Sequence, residues 1–145
     1  MSTSPATVLL VEDDPDVREE IAAALSWAGY EVVEAADGAE ALEWMRAQPV
    51  RPRIILLDWM LPKVDGLGFL GQQASDPRFG AVPVVVLSAV ADSAKIPSLC
   101  VEKVLAKPVQ LRTLIDLIDR LTEQPPRMPT ETLDRSIGRF YPVEK

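Results

Sequence analysis

The chain has no histidine and only one cysteine in 145 residues. The absence of histidine removes the commonest general base and every Ser-His or Cys-His nucleophile pair, and most hydrolase chemistries go with it. Cys100 alone forms no internal disulfide and leaves a Cys/His metal centre without a second soft ligand. A reducing, cytoplasmic setting is expected. Basic residues are also scarce: 15 Lys and Arg stand against 22 Asp and Glu, a formal charge of -7. That balance cannot neutralise a row of phosphates, so nucleic acid is not an expected partner. No apolar run approaches the ~20 residues that span a bilayer, and the first seven residues lack the basic start and apolar stretch of a secretory leader. A soluble chain with no membrane partner is the expectation.

What is present reads as one domain with an extension, and 48% apolar residues are enough for a real core. Thr7 to Val11 is a short buried strand, followed by the acids Glu12, Asp13 and Asp14 and then Pro15, which suits the first position of a helix. Asp14 is placed as that helix's N-cap. Val17, Ile21, Leu25 and Ala28 draw one apolar stripe, and Gly29 follows as the helix stop. Glu31 to Ala35 gives a second strand, and Ala41, Leu42 and Met45 an apolar helix face ending before Pro49. The third strand, Arg53 to Leu57, is apolar at four consecutive positions, as a strand buried on both faces must be. It stops at Asp58, a carboxylate expected to lie exposed at the carboxyl edge where open α/β sheets place their ligands.

A helix with Leu67, Phe69 and Leu70 inward follows Asp65-Gly66, weakened by Gly68 and Gly71. Val82 to Leu87 is a fourth strand ending at Ser88, and Val101 to Leu105 a fifth ending before Lys107-Pro108. Between them, Val90 to Cys100 is expected to hold a short or distorted element, since Pro97 interrupts it. Leu111, Leu114, Ile115, Ile118 and Leu121 form the stripe of a last helix. Five βα units predict a doubly wound, flavodoxin-like five-stranded parallel sheet, order 2-1-3-4-5, with helices on both faces. Residues 123–145, with Pro125, Pro126 and Pro129, read as a tail, linker-like or docked through Ile137, Phe140 and Tyr141.

In that strand order Glu12, Asp13, Asp58, Ser88 and Lys107 converge on one edge. Carboxylates crowded together repel unless a cation joins them, and hard oxygen ligands suit a partly hydrated Mg²⁺. Lys107 and Ser88 add a positive charge and a hydroxyl donor, so the edge is arranged to receive an anion such as a phosphoryl group. With the charge offset, Asp58 has the covalent role carboxylates play in phosphoryl transfer.

Residues 6–122, about four fifths of the chain, resemble the receiver domain of two-component response regulators, of the single-domain, chemotaxis-regulator kind. Val-Glu-Asp-Asp at 11 to 14 resembles the family's acidic pair, carried onto Glu12 and Asp13, with Asp13 the more direct metal ligand. Asp-Trp-Met-Leu-Pro-Lys-Val-Asp-Gly at 58 to 66 resembles its phospho-acceptor segment, which implies Asp58 as phosphorylation site and the backbone carbonyl of Met60 as a further metal ligand. Val-Val-Leu-Ser-Ala at 85 to 89 resembles the strand ending in the switch hydroxyl, here Ser88 in place of threonine. Ala-Lys-Pro at 106 to 108 resembles the lysine motif and implies a cis bond between Lys107 and Pro108. Each motif is weak singly, and their ordered joint occurrence is specific. The resemblance implies a sensor histidine kinase or histidine phosphotransfer protein as donor and a downstream protein as target. It also implies an activity limited to the protein's own phosphorylation and dephosphorylation.

Two positions depart from the pattern. Val104 stands where the family has an aromatic residue three before the lysine, and the interval from Ser88 to Lys107, 19 residues, is about a turn short. Val104 and the short fourth unit support a rival, a degenerate receiver acting as an unphosphorylated adaptor. A Mg²⁺-dependent aspartyl phosphohydrolase is the enzymatic rival, but Met60 stands where such enzymes place a second acid. Met60 and Val90 offer no group to position an attacking water, so slow self-dephosphorylation is expected. Trp27 and Trp44 are expected to pack, with Trp59 beside the site.

Overall fold

A computed structural model describes residues 6–48, 51–61, 65–89, 96–97 and 101–122. Strands β1 (Thr7–Val11), β2 (Glu31–Ala35), β3 (Ile54–Asp58), β4 (Val84–Ser88) and β5 (Lys103–Ala106) form one parallel sheet, ordered β2-β1-β3-β4-β5. Helices α1 (Pro15–Trp27), α2 (Gly38–Ala47), α3 (Gly66–Ser75) and α4 (Leu111–Leu121) cover it. The expected strand order and layering are those observed.

Because successive strand residues point to opposite faces, the central strands, buried at every position but Thr7, supply two cores. Leu9, Val11, Ile55, Leu57, Val84 and Val86 pack with Leu42, Met45, Phe69 and Leu70 of α2 and α3. Val8, Leu10, Ile54, Leu56, Val85 and Leu87 pack on the other face with Ile21, Leu25, Leu114 and Ile118 of α1 and α4. The edge strands β2 and β5 are only half buried and keep Glu31, Glu34 and Lys103 exposed, charges that discourage pairing with another chain.

Three helices begin with aspartate at the N-cap. Asp14 Oδ1 accepts from the amides of Asp16 (2.9 Å) and Val17 (3.4 Å), Asp37 from Glu40 (2.8 Å), and Asp65 from Gly68 (2.8 Å). Gly29, just past α1, has φ +101°, a left-handed conformation that glycine adopts without a steric cost. At the opposite end of the sheet from the strand termini, Arg53 Nη2 donates to the Thr122 carbonyl (2.6 Å), and Tyr30 Oη bonds the Asp119 carboxylate and lies 3.2 Å from Thr122 Oγ1. These bonds fasten the end of α4 to β2 and β3.

Several expectations need correction. Trp27 does not pack: it is 86% exposed, because it lies two residues, about 200° of helix, beyond the inward Leu25. Trp44 is partly buried against the α2/α3 core, as expected. Leu67 is 57% exposed, since the inward stripe of α3 is Gly66, Phe69, Leu70 and Gln73, and Leu67 sits about 100° round from Gly66. The fourth strand starts at Val84, after Pro83, and the fifth runs Lys103–Ala106, shifted towards the lysine motif. The element expected between 90 and 100 lies outside the described residues apart from Ile96 and Pro97, of which Ile96 is buried. The tail, residues 123–145, also lies outside them.

Candidate functional site

The sheet's hydrogen bonding continues one residue past three of its strands, and this pins the site. Glu12 N–H donates to the Ala35 carbonyl (3.0 Å), Trp59 N–H to Leu87 (3.0 Å) and Lys107 N–H to Ser88 (2.8 Å). Each functional residue is therefore held by, or next to, a peptide group fixed in the ladder. Lys107 and Pro108 are joined by a cis peptide bond. Trp59 lies across α3's first residue: a Cβ on Gly66 would stand 2.4 Å from Trp59 Cε3, so only glycine lets the indole pack there.

Lys107 Nζ lies 3.1 Å from both Glu12 Oε1 and Asp58 Oδ1. Carboxylate oxygens of Glu12, Asp13 and Asp58 lie within 4.8 Å of one another. Asp58 is 4% exposed, not open as its position past an apolar run implied, because Glu12 from the end of β1 and Lys107 from the end of β5 lie against it. Glu12 is fully buried and Asp13 is exposed at the rim. The Asp58 carboxyl is pushed up from 3.8 to about 7, by burial first and by the Glu12 carboxylate second, with Lys107 opposing both. Burial alone would lower the Lys107 ammonium, but the carboxylates of Asp58 and Glu12 outweigh it and hold it above its ordinary value.

This arrangement fits a divalent cation. With all three ionised, the carboxylates facing one ammonium leave two negative charges. Buried Glu12 Oε1 lies within ion-pair distance of Lys107 but, among the described residues, is in no hydrogen bond, which leaves it capacity to accept another ligand. The donors are hard oxygens, the kind Mg²⁺ takes.

The expected residues assemble unequally. Glu12, Asp13, Asp58 and Lys107 are together. Ser88 is buried at the end of β4, opposite Ala106 in the register, but its hydroxyl donates to the Ala89 carbonyl (2.9 Å) and makes no bond to Asp58. The Met60 amide donates to Asp58 Oδ1 (3.3 Å), while its side chain is exposed. Val104, at the position three before the lysine, is partly buried against the α2/α3 core. Two contacts were not foreseen. Asp14 N–H donates to Glu12 Oε2 (3.2 Å), and Arg18 Nη1 donates to the Glu12 carbonyl (2.9 Å). The spacing of Arg18 from the acidic turn, one turn into α1, was the available signal.

The doubly wound sheet thus brings an acid cluster and a lysine together at its carboxyl edge, a site able to hold a cation and an anion side by side. Comparison with known proteins gives the family: residues 8–119 match the response regulator receiver domain, and the chain belongs to it. The chain is 32% identical over 135 residues to a probable transcriptional regulator, ycf27, of Cyanophora paradoxa, covering 91% of this chain and 56% of that one. It is 42% identical over 86 residues to the response regulator Rre1 of Synechocystis, covering 59% of this chain and 36% of that one. It thus spans about half or less of these curated relatives. Among solved structures it is similar to the receiver domain of a sensor histidine kinase from Pseudomonas aeruginosa PAO1, which has a magnesium ion coordinated in its active site cleft. The TM-score is 0.75 at 29% identity, over 83% of this chain and 99% of that one. The chemotaxis response regulator CheY4 of Vibrio cholerae gives 0.71 at 29%, over 81% and 98%. No described helix is long and apolar enough to cross a membrane.

Proposed function

We propose that this chain takes a phosphoryl group from a partner's histidine onto Asp58 in a Mg²⁺-dependent reaction and alters its binding to a downstream protein. The observation that carries this is the buried Asp58 carboxylate, 3.1 Å from Lys107 Nζ and clustered with Glu12 and Asp13. Glu12, Asp13, Asp58 and the Met60 carbonyl would hold the ion, which offsets charge on the carboxylates and the phosphoryl oxygens. An Asp58 oxygen attacks phosphorus, a P–O bond forms, the P–N bond to the donor imidazole breaks, and the imidazole takes up a proton as it leaves. Lys107 moves its contact from Asp58 to a phosphoryl oxygen. Ser88 rotates from the Ala89 carbonyl to donate to another, and this rotation biases the β4 end between two states.

In this reading the donor imidazole comes from a partner, since the chain has none of its own, and that partner is a sensor histidine kinase or a histidine phosphotransfer protein of the cytoplasm. Residues 6–122 form the receiver unit and 123–145 a tail. Val104 favours a second reading, an adaptor that binds partners without phosphorylation. Beryllofluoride, an acyl-phosphate mimic, separates the two when added with Mg²⁺ while Trp59 fluorescence is followed. A saturating response that vanishes in Asp58→Asn supports the phosphoacceptor. No response in the native chain supports the adaptor.

A further inference from the structure

Arg18 joins three parts of the fold at one point. It sits on α1, donates from Nη1 to the Glu12 carbonyl (2.9 Å), and pairs through Nε with Glu34 Oε1 on β2 (3.3 Å). Its side chain is 22% exposed and that of Glu34 46%. The remaining groups of Glu12 are held as well: its amide donates to Ala35 of β2, and its Oε2 accepts from the Asp14 amide. With both peptide groups and one carboxylate oxygen fixed, Oε1 is left facing Lys107 and the acid cluster. Without Arg18 the part-buried Glu12 carbonyl loses its donor, and the turn from β1 into α1 is held on one side only.

We propose that Arg18 is a positioning residue for metal binding: it touches neither ion nor phosphoryl group, but fixes the Glu12 main chain so that Oε1 points into the site. The inference rests on the Mg²⁺ reading given above. Outer contacts of this kind, which orient a ligand through its own backbone or ring, typically change metal affinity 10- to 100-fold when removed. A simple charge effect has the opposite sign, because deleting a nearby cation would tighten Mg²⁺ a few-fold. The ion pair with Glu34 already offsets most of that charge.

The test is calorimetric titration of Mg²⁺ into the full chain, stripped of metal, for the native protein, Arg18→Gln, Arg18→Lys and Glu34→Gln, with circular dichroism as the check on folding. Arg18→Gln is expected to bind about ten-fold more weakly. Arg18→Lys keeps a donor and a charge but cannot span both partners, so its affinity is expected between the two. Glu34→Gln is expected within about three-fold of native, since Arg18 still reaches the carbonyl. Native-like or tighter binding by Arg18→Gln overturns the proposal. If that variant does not fold, unchanged affinity in Arg18→Lys overturns it. A native chain that binds no Mg²⁺ overturns the reading of the site itself, a result distinct from equal binding by native and variant.

Discussion

Replacing Asp58 by asparagine removes a charge that the metal-free fold holds at a cost. The side chain is 6% exposed and lies beside Glu12, and its carboxyl is raised from 3.8 to about 7. At 1.36 kcal/mol per pH unit, ionising it in the folded chain costs at most about 4 kcal/mol. Local relaxation and water entering the cleft reduce this, so we expect Asp58→Asn to stabilise the metal-free domain by about 2 kcal/mol, or about 6–8 °C in Tm. Lys107 keeps Glu12 as its partner at 3.1 Å, so the substitution strands no buried cation. The sign with pH follows from the raised value. The folded state holds its proton more tightly than the unfolded chain, so the native protein suffers no penalty below about pH 4, a growing one between there and about 7, and the full one above. The gain in Asp58→Asn is therefore largest at pH 8 and smaller at pH 5. Thermal unfolding in EDTA at both pH values measures it. Added Mg²⁺ should then raise the native Tm and leave the variant nearly unchanged. A variant no more stable than native at pH 8, or a gain the same at both pH values, would refute the reasoning.

Other substitutions probe the frame of the site. Gly66→Ala drives a Cβ to 2.4 Å from the Trp59 ring, and a loss of about 1–2 kcal/mol with a shifted Trp59 emission is expected in unfolding and fluorescence measurements; a stabilised variant would contradict the close approach. Tyr30→Phe removes the hydroxyl that joins Asp119 and Thr122, and should cost about 1–2 kcal/mol in chemical denaturation while leaving Mg²⁺ affinity unchanged, because this network lies at the far end of the sheet. Trp27→Ser should change stability by less than about 0.5 kcal/mol, since the indole is 86% exposed; a larger loss would mean that it packs after all.

The parts of the molecule that were legible in the sequence are those set by local pattern. β3 and β4 are buried on both faces, so their apolar runs are continuous and the polar residue ending each run marks the sheet's edge. Asp14, Pro15 and Gly29 carry their conformational signals in their own chemistry, and the structure uses each as expected. The limits of β5 were less clear, because an edge strand is half exposed and its apolar pattern is diluted by Lys103. The size and apolarity of Trp27 suggest packing, but its angle on the helix turns it to solvent. The burial of Asp58 was not legible, since Glu12 and Lys107, which cover it, arrive from strands 46 residues before and 49 after. Arg18 is marked in the sequence only by its spacing from the acidic turn. Its partners are a backbone carbonyl and an acid on a different strand, neither visible as a motif.

The central claim is that Asp58 accepts a phosphoryl group, and intact and tandem mass spectrometry after incubation with acetyl phosphate tests it most directly. With Mg²⁺ present the chain is predicted to gain the mass of one phosphoryl group, located at Asp58. The gain should be absent in EDTA and in Asp58→Asn. An unmodified chain in the presence of Mg²⁺, or a phosphoryl group on any other residue, would contradict the account.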